Sequence, residues 1–535
     1  MRGNQVVSGA VGVALVVLVM GLAVPLAACT ASHPDGAASA SVSPSSGTES
    51  EPASSEPDAA ASPAATLDLV AGGAELQAAV YPLTRSDDHV VLTMDLTTDA
   101  TEDVTLSRLF SGEVTDGPVE GGGIRLVDLT AKEVYLPGLD AQGDPVGAGE
   151  RLFSLDTGGL RVQRVYAAPG ASVTSLGVLL PGGYLDEVPV LDGEIPAPTL
   201  PAAAEEEAEA EPAQAADPAQ VAEAPVLPLE SFTAELDGAV QVLESTEEVT
   251  VNLGGDVLFD SSSAELRSDA QKAIDAAARR IEDRAPGTVA VVGHTDDVGD
   301  DASNKKLSEQ RADAVAGALA ERLDPAEYPL ETSGKGESEP LVANTSDQNR
   351  QLNRRVALTL VSEVTTTTEV AAEGELPPFD DGPTGTGAEG AVIESGIRTW
   401  RFTVPEARRV GDSLVLDLHV TAEDDEVDSG FGPGNLAGYW SYRGDDVTVP
   451  KNMLGLTVLS GASAVYPYDY KIRDEGDTEV WNPLGELDTL RQVDGGETVT
   501  FTAVYPGFED AETITVQLNH NLGAEPFRLT DIPVR

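Results

Sequence analysis

Apolar and polar positions follow two different periods along the chain, and the switches between them divide it. From 67 to 195 the period is two. Val90-Val91-Leu92-Thr93-Met94-Asp95-Leu96, Ile124-Arg125-Leu126-Val127-Asp128-Leu129 and Val173 to Leu180 are short apolar alternations separated by turn clusters. They predict the strands of an antiparallel, Ig-like β-sandwich. Between 230 and 363 both periods occur. Val289 to Val292 reads as a buried strand, Arg354 to Val361 as a terminal strand, and Ala270, Ile274, Ala277 and Ile281 share one face of a helix from about Ser268 to Asp283. From Asn304 onward Leu307, Val315 and Leu319 recur at helical intervals, so a second helix follows the Val289 strand.

Period two returns from 391 to 535, and this region reads as a distant repeat of the first. Leu414 to Thr421 parallels Val90 to Thr97, and Ala503-Val504-Tyr505-Pro506-Gly507 parallels Val165-Tyr166-Ala167-Ala168-Pro169-Gly170. Val188-Pro189-Val190 and Ile532-Pro533-Val534 close the two regions alike. Internal duplication predicts a second all-β sandwich, so the expected fold class is multi-domain, an α+β unit with a helix-covered mixed sheet flanked by two all-β domains.

The stretches without periodicity are of three kinds. Arg2 precedes an apolar run from Val11 to Val24 and then Leu26-Ala27-Ala28-Cys29, which reads as a signal peptide over 1–29 ending in a lipobox. Cys29 is the expected lipidation site and the only cysteine, which excludes an intrachain disulfide and a thiolate metal site. Residues 30–66, rich in Ala, Ser, Pro and Glu, form a disordered tether that would reach about 120 Å if pulled taut. Residues 196–229, with Glu205-Glu206-Glu207, and the Gly/Pro/Thr-rich 364–390 read as linkers. Gly385-Thr386-Gly387-Ala388-Glu389-Gly390 fits a dinucleotide-binding pattern by letter, but it lies in the second linker and is discarded.

A chain of 535 residues is too long for one core, and a net charge of -59 excludes a nucleic-acid partner, because no basic stripe meets phosphates. The five histidines, His33, His89, His294, His419 and His520, are dispersed, so no triad or zincin helix can be assembled and no enzyme, metal or cofactor is expected. Asp297, Asp300 and Asp301 lack calcium-loop spacing and read as a solvated acidic loop.

The chemistry concentrates around Gly293-His294-Thr295-Asp296, where a carboxylate just past a strand end stands fifteen residues before Arg311 on the following helix. Phe259-Asp260 with Ser261 to Leu266, Gly293 to Asp296, Leu307-Ser308 with Arg311-Ala312, Gly334 to Glu337, and Asn349-Arg350 with Asn353 to Val356 fall in one order. Through these five blocks, residues 249–361 resemble the OmpA-like peptidoglycan-binding family. The resemblance implies that Asp296 and Arg311 grip the diaminopimelate of a peptidoglycan stem peptide. Phe259, Asp260, Thr295, Asn304, Leu307, Arg354 and Arg355 complete the expected binding set, with the choice between the two last arginines left open.

The pairing makes chemical sense. A free diaminopimelate terminus carries an ammonium and a carboxylate on one carbon, which an acceptor-only Asp and a forked Arg complement. The bland alternative, a surface salt bridge, would contribute little.

The expected function is a lipoprotein anchored in the membrane by its N-terminal lipid, outside the cytoplasm, binding peptidoglycan non-covalently and presenting β-sandwiches. The competing reading makes the sandwiches adhesion or recruiting modules for an envelope protein or wall polysaccharide. Tyr466, Tyr468 and Tyr470 alternate, as do residues on one strand face, which reads first as cross-strand packing and second as a stacking platform. Trp400, Trp440 and Trp481 lie in the same region.

Overall fold

The computed structural model describes residues 62–535 apart from short stretches, the longest being 201–214 and 437–451. Cys29 with its leader, the tether up to residue 61, Glu205 to Glu211, Trp440, His33 and His520 lie outside the described residues. Among the described residues, no helix is long and apolar enough to cross a membrane.

Two β-lobes share one strand order. In the first, Ala65–Ala71, Ala74–Val80, His89–Thr98, Leu83–Ser86, Gly183–Asp192, Ser175–Leu180, Arg125–Asp128 and Glu133–Tyr135 are neighbours in that sequence, and Leu160–Ala167 pairs with His89–Thr98. In the last, Ala391–Ser395, Arg398–Thr403, Ser413–Ala422 and Ala407–Val410 are neighbours, with Thr498–Pro506 paired to Ser413–Ala422. Thr513–Leu518 lies between Phe527–Pro533 and Leu456–Ser460, which pairs on to Ser463–Val465. The long central strands are buried on both faces: Val90, Val91 and Leu92 are consecutive and fully covered. That double burial explains why their sequences are nearly continuous apolar runs rather than strict alternations.

Between the lobes, the α+β unit packs two helices on one sheet face. Ala270–Glu282 buries Ala270, Ala273, Ile274, Ala277, Ala278 and Ile281 against Val249, Val251, Leu253, Val289, Val291, Val356, Leu358 and Leu360. The second helix, Asp301–Leu319, begins at Asp300, whose carboxylate accepts from Ser303 N at 3.1 Å. Val315 and Leu319 are buried as their spacing requires, Leu307 only half so, and Arg311 sits within the buried stripe rather than beside it. This helix approaches the Val289–His294 strand so closely that a Cβ on Gly293 would collide with the Ser308 carbonyl. Gly293 is thus the contact that lets a helix carry Arg311 up to the end of that strand.

The sequence reads 196–229 and 364–390 as spacers, yet both contribute to packed sheet. Ala216 packs with Val91, Val146 and Val165, and Val226–Pro228 pairs with Glu133–Tyr135 to extend the first lobe. Just beyond, Ser231–Glu235 pairs with Val240–Glu244 on one side and Ser463–Val465 on the other. The sheet of the α+β unit therefore continues unbroken into the last lobe. In the second spacer, Val370 joins the last lobe's core and Thr384–Thr386 pairs in parallel with Phe527–Pro533. An unpaired sheet edge leaves backbone donors and acceptors open, and a polar segment with no core of its own still supplies backbone to close one.

The stacking platform is overturned. Only Tyr470 lies in a strand, Asp469–Glu475; Tyr466 and Tyr468 precede it. The Tyr466 ring stands 5.2 Å from Phe232, the Tyr468 hydroxyl accepts from Lys132 Nζ at 3.1 Å, and the Tyr470 hydroxyl accepts from Arg125 Nη1 at 3.3 Å. Tyr468 and Tyr470 belong to a cluster with Val127, Val134, Leu179, Tyr184, Val415 and Val504 that joins the two lobes. Tyr468 and Tyr470 are buried and Tyr466 half-buried, so the three rings do not form one exposed strand face on which a sugar could stack.

Candidate functional site

Thr295 and Asp296 leave the Val289–His294 strand at the edge of the second helix. Asp296 is 9 % exposed. Its Oδ1 accepts from Val298 N at 3.2 Å and its Oδ2 from Arg354 Nη1 at 2.6 Å. Asn304 pins this turn, its Nδ2 donating to the Asp296 carbonyl (3.4 Å), the Val298 carbonyl (3.3 Å) and Glu337 Oε2 (2.6 Å). Thr295 N donates to the Gly336 carbonyl at 2.9 Å, while its Oγ1 is buried without a partner among the described residues.

Arg311 is 5 % exposed. Its Nε donates to the Ser263 carbonyl at 2.9 Å, and its guanidinium lies over the Phe259 ring, 5.0 Å from the centroid. Its two terminal nitrogens take no acceptor among the described residues. Burial pulls its pKa down, Asp256 and Asp296 oppose that pull, and Arg354 adds to it. Arg311 is therefore a desolvated cation with its fork unused, close enough to Asp296 to feel its charge yet not ion-paired with it. Both groups face the same problem of being buried in incomplete hydrogen-bonding surroundings.

Arg354 supplies the organisation that the sequence did not disclose. It caps a short helix, Asp347–Asn353, rather than beginning the strand, which runs Arg355–Val361. Its Nε and Nη2 donate to the two oxygens of Asp256 at 2.8 and 2.6 Å while Nη1 reaches Asp296. Those bonds hold the Arg354 pKa above its ordinary value and the Asp256 pKa below its own. Asp256 thus fixes Arg354, and Arg354 fixes Asp296. Asp256 lies 98 residues from Arg354, so local spacing carried no signal of the pair.

The other predicted residues are distributed unevenly. Phe259 is the floor under Arg311, and Leu307 is half-buried on the helix. Asp260, expected in the binding set, turns outward instead, its side chain 80 % exposed and paired with Arg267 at 3.3 Å. Neighbouring residues in extended chain point to opposite sides, so burying Phe259 sends Asp260 into solvent. Arg355 makes no bond to Asp296: its Nε and Nη1 are buried without partners among the described residues, and burial pushes its pKa down to about 10. Of the two arginines left open by the sequence, Arg354 is the one bonded to Asp296.

His294 is 4 % exposed, and burial, reinforced by Arg355 and Lys335 against Glu339, pushes its pKa down from 6.5 to about 4. Between those two pH values the unfolded chain binds a proton that the native imidazole refuses. Stability accordingly falls as pH drops through that window, by on the order of 3 kcal/mol, and the loss is complete below it. Comparing urea midpoints at pH 7 and pH 4.5, His294→Asn is expected to lose less stability than the parent protein; equal losses would remove His294 as the cause.

The comparisons converge on this unit. Residues 258–354 match the OmpA family. Over 121 residues the chain is 35% identical to "Probable lipoprotein YiaD" of Escherichia coli (strain K12), covering 23% of this chain and 55% of that protein. Over 101 residues it is 39% identical to outer membrane protein A of Escherichia fergusonii, covering 18% of this chain and 41% of that protein. Among solved structures, the cell wall anchor of the T6SS from Pseudomonas aeruginosa is similar at 32% identity with a TM-score of 0.21, covering 23% of this chain and 89% of that one. The chain carries an OmpA family domain at 258–354, which contains Phe259, Asp296, Arg311 and Arg354. It spans about half the length of the first of these curated relatives and less of the second.

Proposed function

We propose that the protein is a non-catalytic cell-envelope tether that binds peptidoglycan through the pocket of Asp296 and Arg311. A diaminopimelate terminus fits both halves of this pocket. Its carboxylate takes the unused fork of Arg311, and its ammonium takes the remaining lone pairs of Asp296, which a carboxylate has in excess of its two internal bonds. The observation that carries the reading is the buried Arg311 guanidinium with no acceptor for its terminal nitrogens among the described residues. A group desolvated in this way and left incomplete is characteristic of a ligand site rather than of a structural ion pair. Lipid on Cys29 would hold the chain at the membrane, as the Leu26-Ala27-Ala28-Cys29 segment supports. The name of the relative YiaD, a probable lipoprotein, is in keeping with that arrangement.

The test is co-sedimentation of the purified full-length protein with diaminopimelate-type and lysine-type sacculi. Retention is expected on the first alone, and Asp296→Ala combined with Arg311→Ala should abolish it. A lysine side chain lacks the carboxylate that Arg311 would read. Equal retention on both walls, or retention by the double variant, would refute the pocket as the wall-binding site.

A further inference from the structure

Across Arg354 from the Asp296 pocket lies a second hollow of about 240 Å³. Asp256 and Arg354 bound it on the side of the pocket, Gln241, Asn252, Gln348 and Gln351 are among the residues that line it, and the charged Asp237 and Arg355 line it as well. Gln241 and Asn252 are direct partners on adjacent strands. Their neighbours Val240, Val242, Val251 and Leu253 fill the core under the helices, so alternation sends these two side chains to the helix-free face of the sheet. Gln348 and Gln351 stand three residues apart on the Asp347–Asn353 helix, which brings them to one side of it.

None of these four side chains hydrogen-bonds to another described residue. Each presents a donor pair and an acceptor in one plane. Four such groups around one hollow match a ligand that carries an N–H and a C=O in one amide unit. A trans secondary amide points the two in opposite directions, so one carboxamide accepts from the N–H on one side while another donates to the C=O on the other, which an aliphatic chain cannot answer. Arg354 meanwhile has its Nε, Nη1 and Nη2 each bonded to Asp256 or Asp296, so it stands as a fixed partition between the two sites.

We infer that this hollow is a second subsite, taking secondary amide groups of the same wall polymer whose diaminopimelate tip occupies the first pocket. The inference rests on the wall-binding reading above. Two parts of the polymer carry the required chemistry, the N-acetyl groups of its sugars and the peptide links of its stem. In either case the polymer straddles Arg354, and the second subsite distinguishes an assembled wall fragment from the free amino acid.

The experiment is calorimetric titration of the full-length protein and its Gln348→Ala plus Gln351→Ala variant with three probes: free diaminopimelate, a stem tetrapeptide containing it, and that tetrapeptide on its disaccharide. Gln348 and Gln351 are exposed, so the variant leaves the core intact. Its affinity for free diaminopimelate is expected to be unchanged, and that for the disaccharide peptide roughly tenfold weaker. Loss with the disaccharide peptide alone assigns the subsite to N-acetyl groups, and loss with both peptides assigns it to peptide links. Unchanged affinity for both peptides would overturn the inference. Should the parent protein ignore free diaminopimelate while the variant still weakens peptide binding, the diaminopimelate pocket falls and the amide subsite stands.

Discussion

Arg311→Met is expected to abolish retention on diaminopimelate-type walls while leaving the unfolding midpoint unchanged or raised. The two effects have one cause. In the folded protein Arg311 gives up its hydration for a single bond to the Ser263 carbonyl and a contact with the Phe259 ring, and its terminal nitrogens recover nothing from the described residues. Burying a cation so poorly compensated costs stability, and a methionine of similar reach packs over Phe259 without that cost. In the complex the same nitrogens meet a carboxylate, where a forked, charge-assisted pair contributes about 2–3 kcal/mol, or roughly a 30- to 150-fold change in affinity. Arg311→Lys keeps the charge but neither the fork nor the planar stacking, so it should recover only a small part of that affinity. The check is a paired measurement, urea unfolding and wall co-sedimentation on the same preparations. A methionine variant that unfolds much earlier than the parent would mean that Arg311 is a structural residue and the pocket a consequence of packing.

The parts of this site that could be read from the sequence are those whose partners lie close in the chain or follow from element type. Asp296 after a strand and Arg311 on the next helix follow from the apolar run Val289 to Val292 and the spacing of Val315 and Leu319. Gly293 was visible as a residue, but its role in admitting the helix depends on Ser308, which only the packed structure brings beneath it. The Asp256–Arg354 pair joins the start of the domain to its end, and no periodicity encodes which acid an arginine will meet across the fold. Asp260 was misplaced for a related reason, since a block of adjacent residues reads as one surface although extended chain turns alternate residues apart. The spacers misled because composition measures a segment's capacity for a core of its own. Val226–Pro228 and Thr384–Thr386 are held instead by the sheet edges they complete.

Arg125→Ala is expected to lower the stability of the whole assembly by about 4 kcal/mol and to separate the unfolding of the first lobe from that of the rest. Arg125 leaves a strand of the first lobe, is 2 % exposed, and ends inside the last lobe. Its Nη1 donates to the Pro483 carbonyl at 3.1 Å and its Nη2 to the Gly485 carbonyl at 2.7 Å. Without them both carbonyls are buried with a donor lost, beside a cavity the size of a guanidinium arm. The deficit extends to Glu486, where burial raises the carboxyl pKa and the charges of Arg491 and Arg125 oppose the rise. Removing Arg125 leaves Arg491, at 3.0 Å, as the nearest cation holding that carboxylate charged. Because Ser231–Glu235 already fuses the OmpA family domain to the last lobe, Arg125, Lys132 and the tyrosine cluster decide whether the first lobe moves with them. Followed by fluorescence in urea, the parent should unfold in one transition and the variant in two, the first lobe becoming sensitive to protease before the OmpA family domain does. A variant with one transition at the parent midpoint would mean that the tyrosine cluster and the bonds of Lys132 to Asp412 and Tyr468 join the lobes without it, and that the buried guanidinium contributes no coupling between the first lobe and the Asp296–Arg311 site.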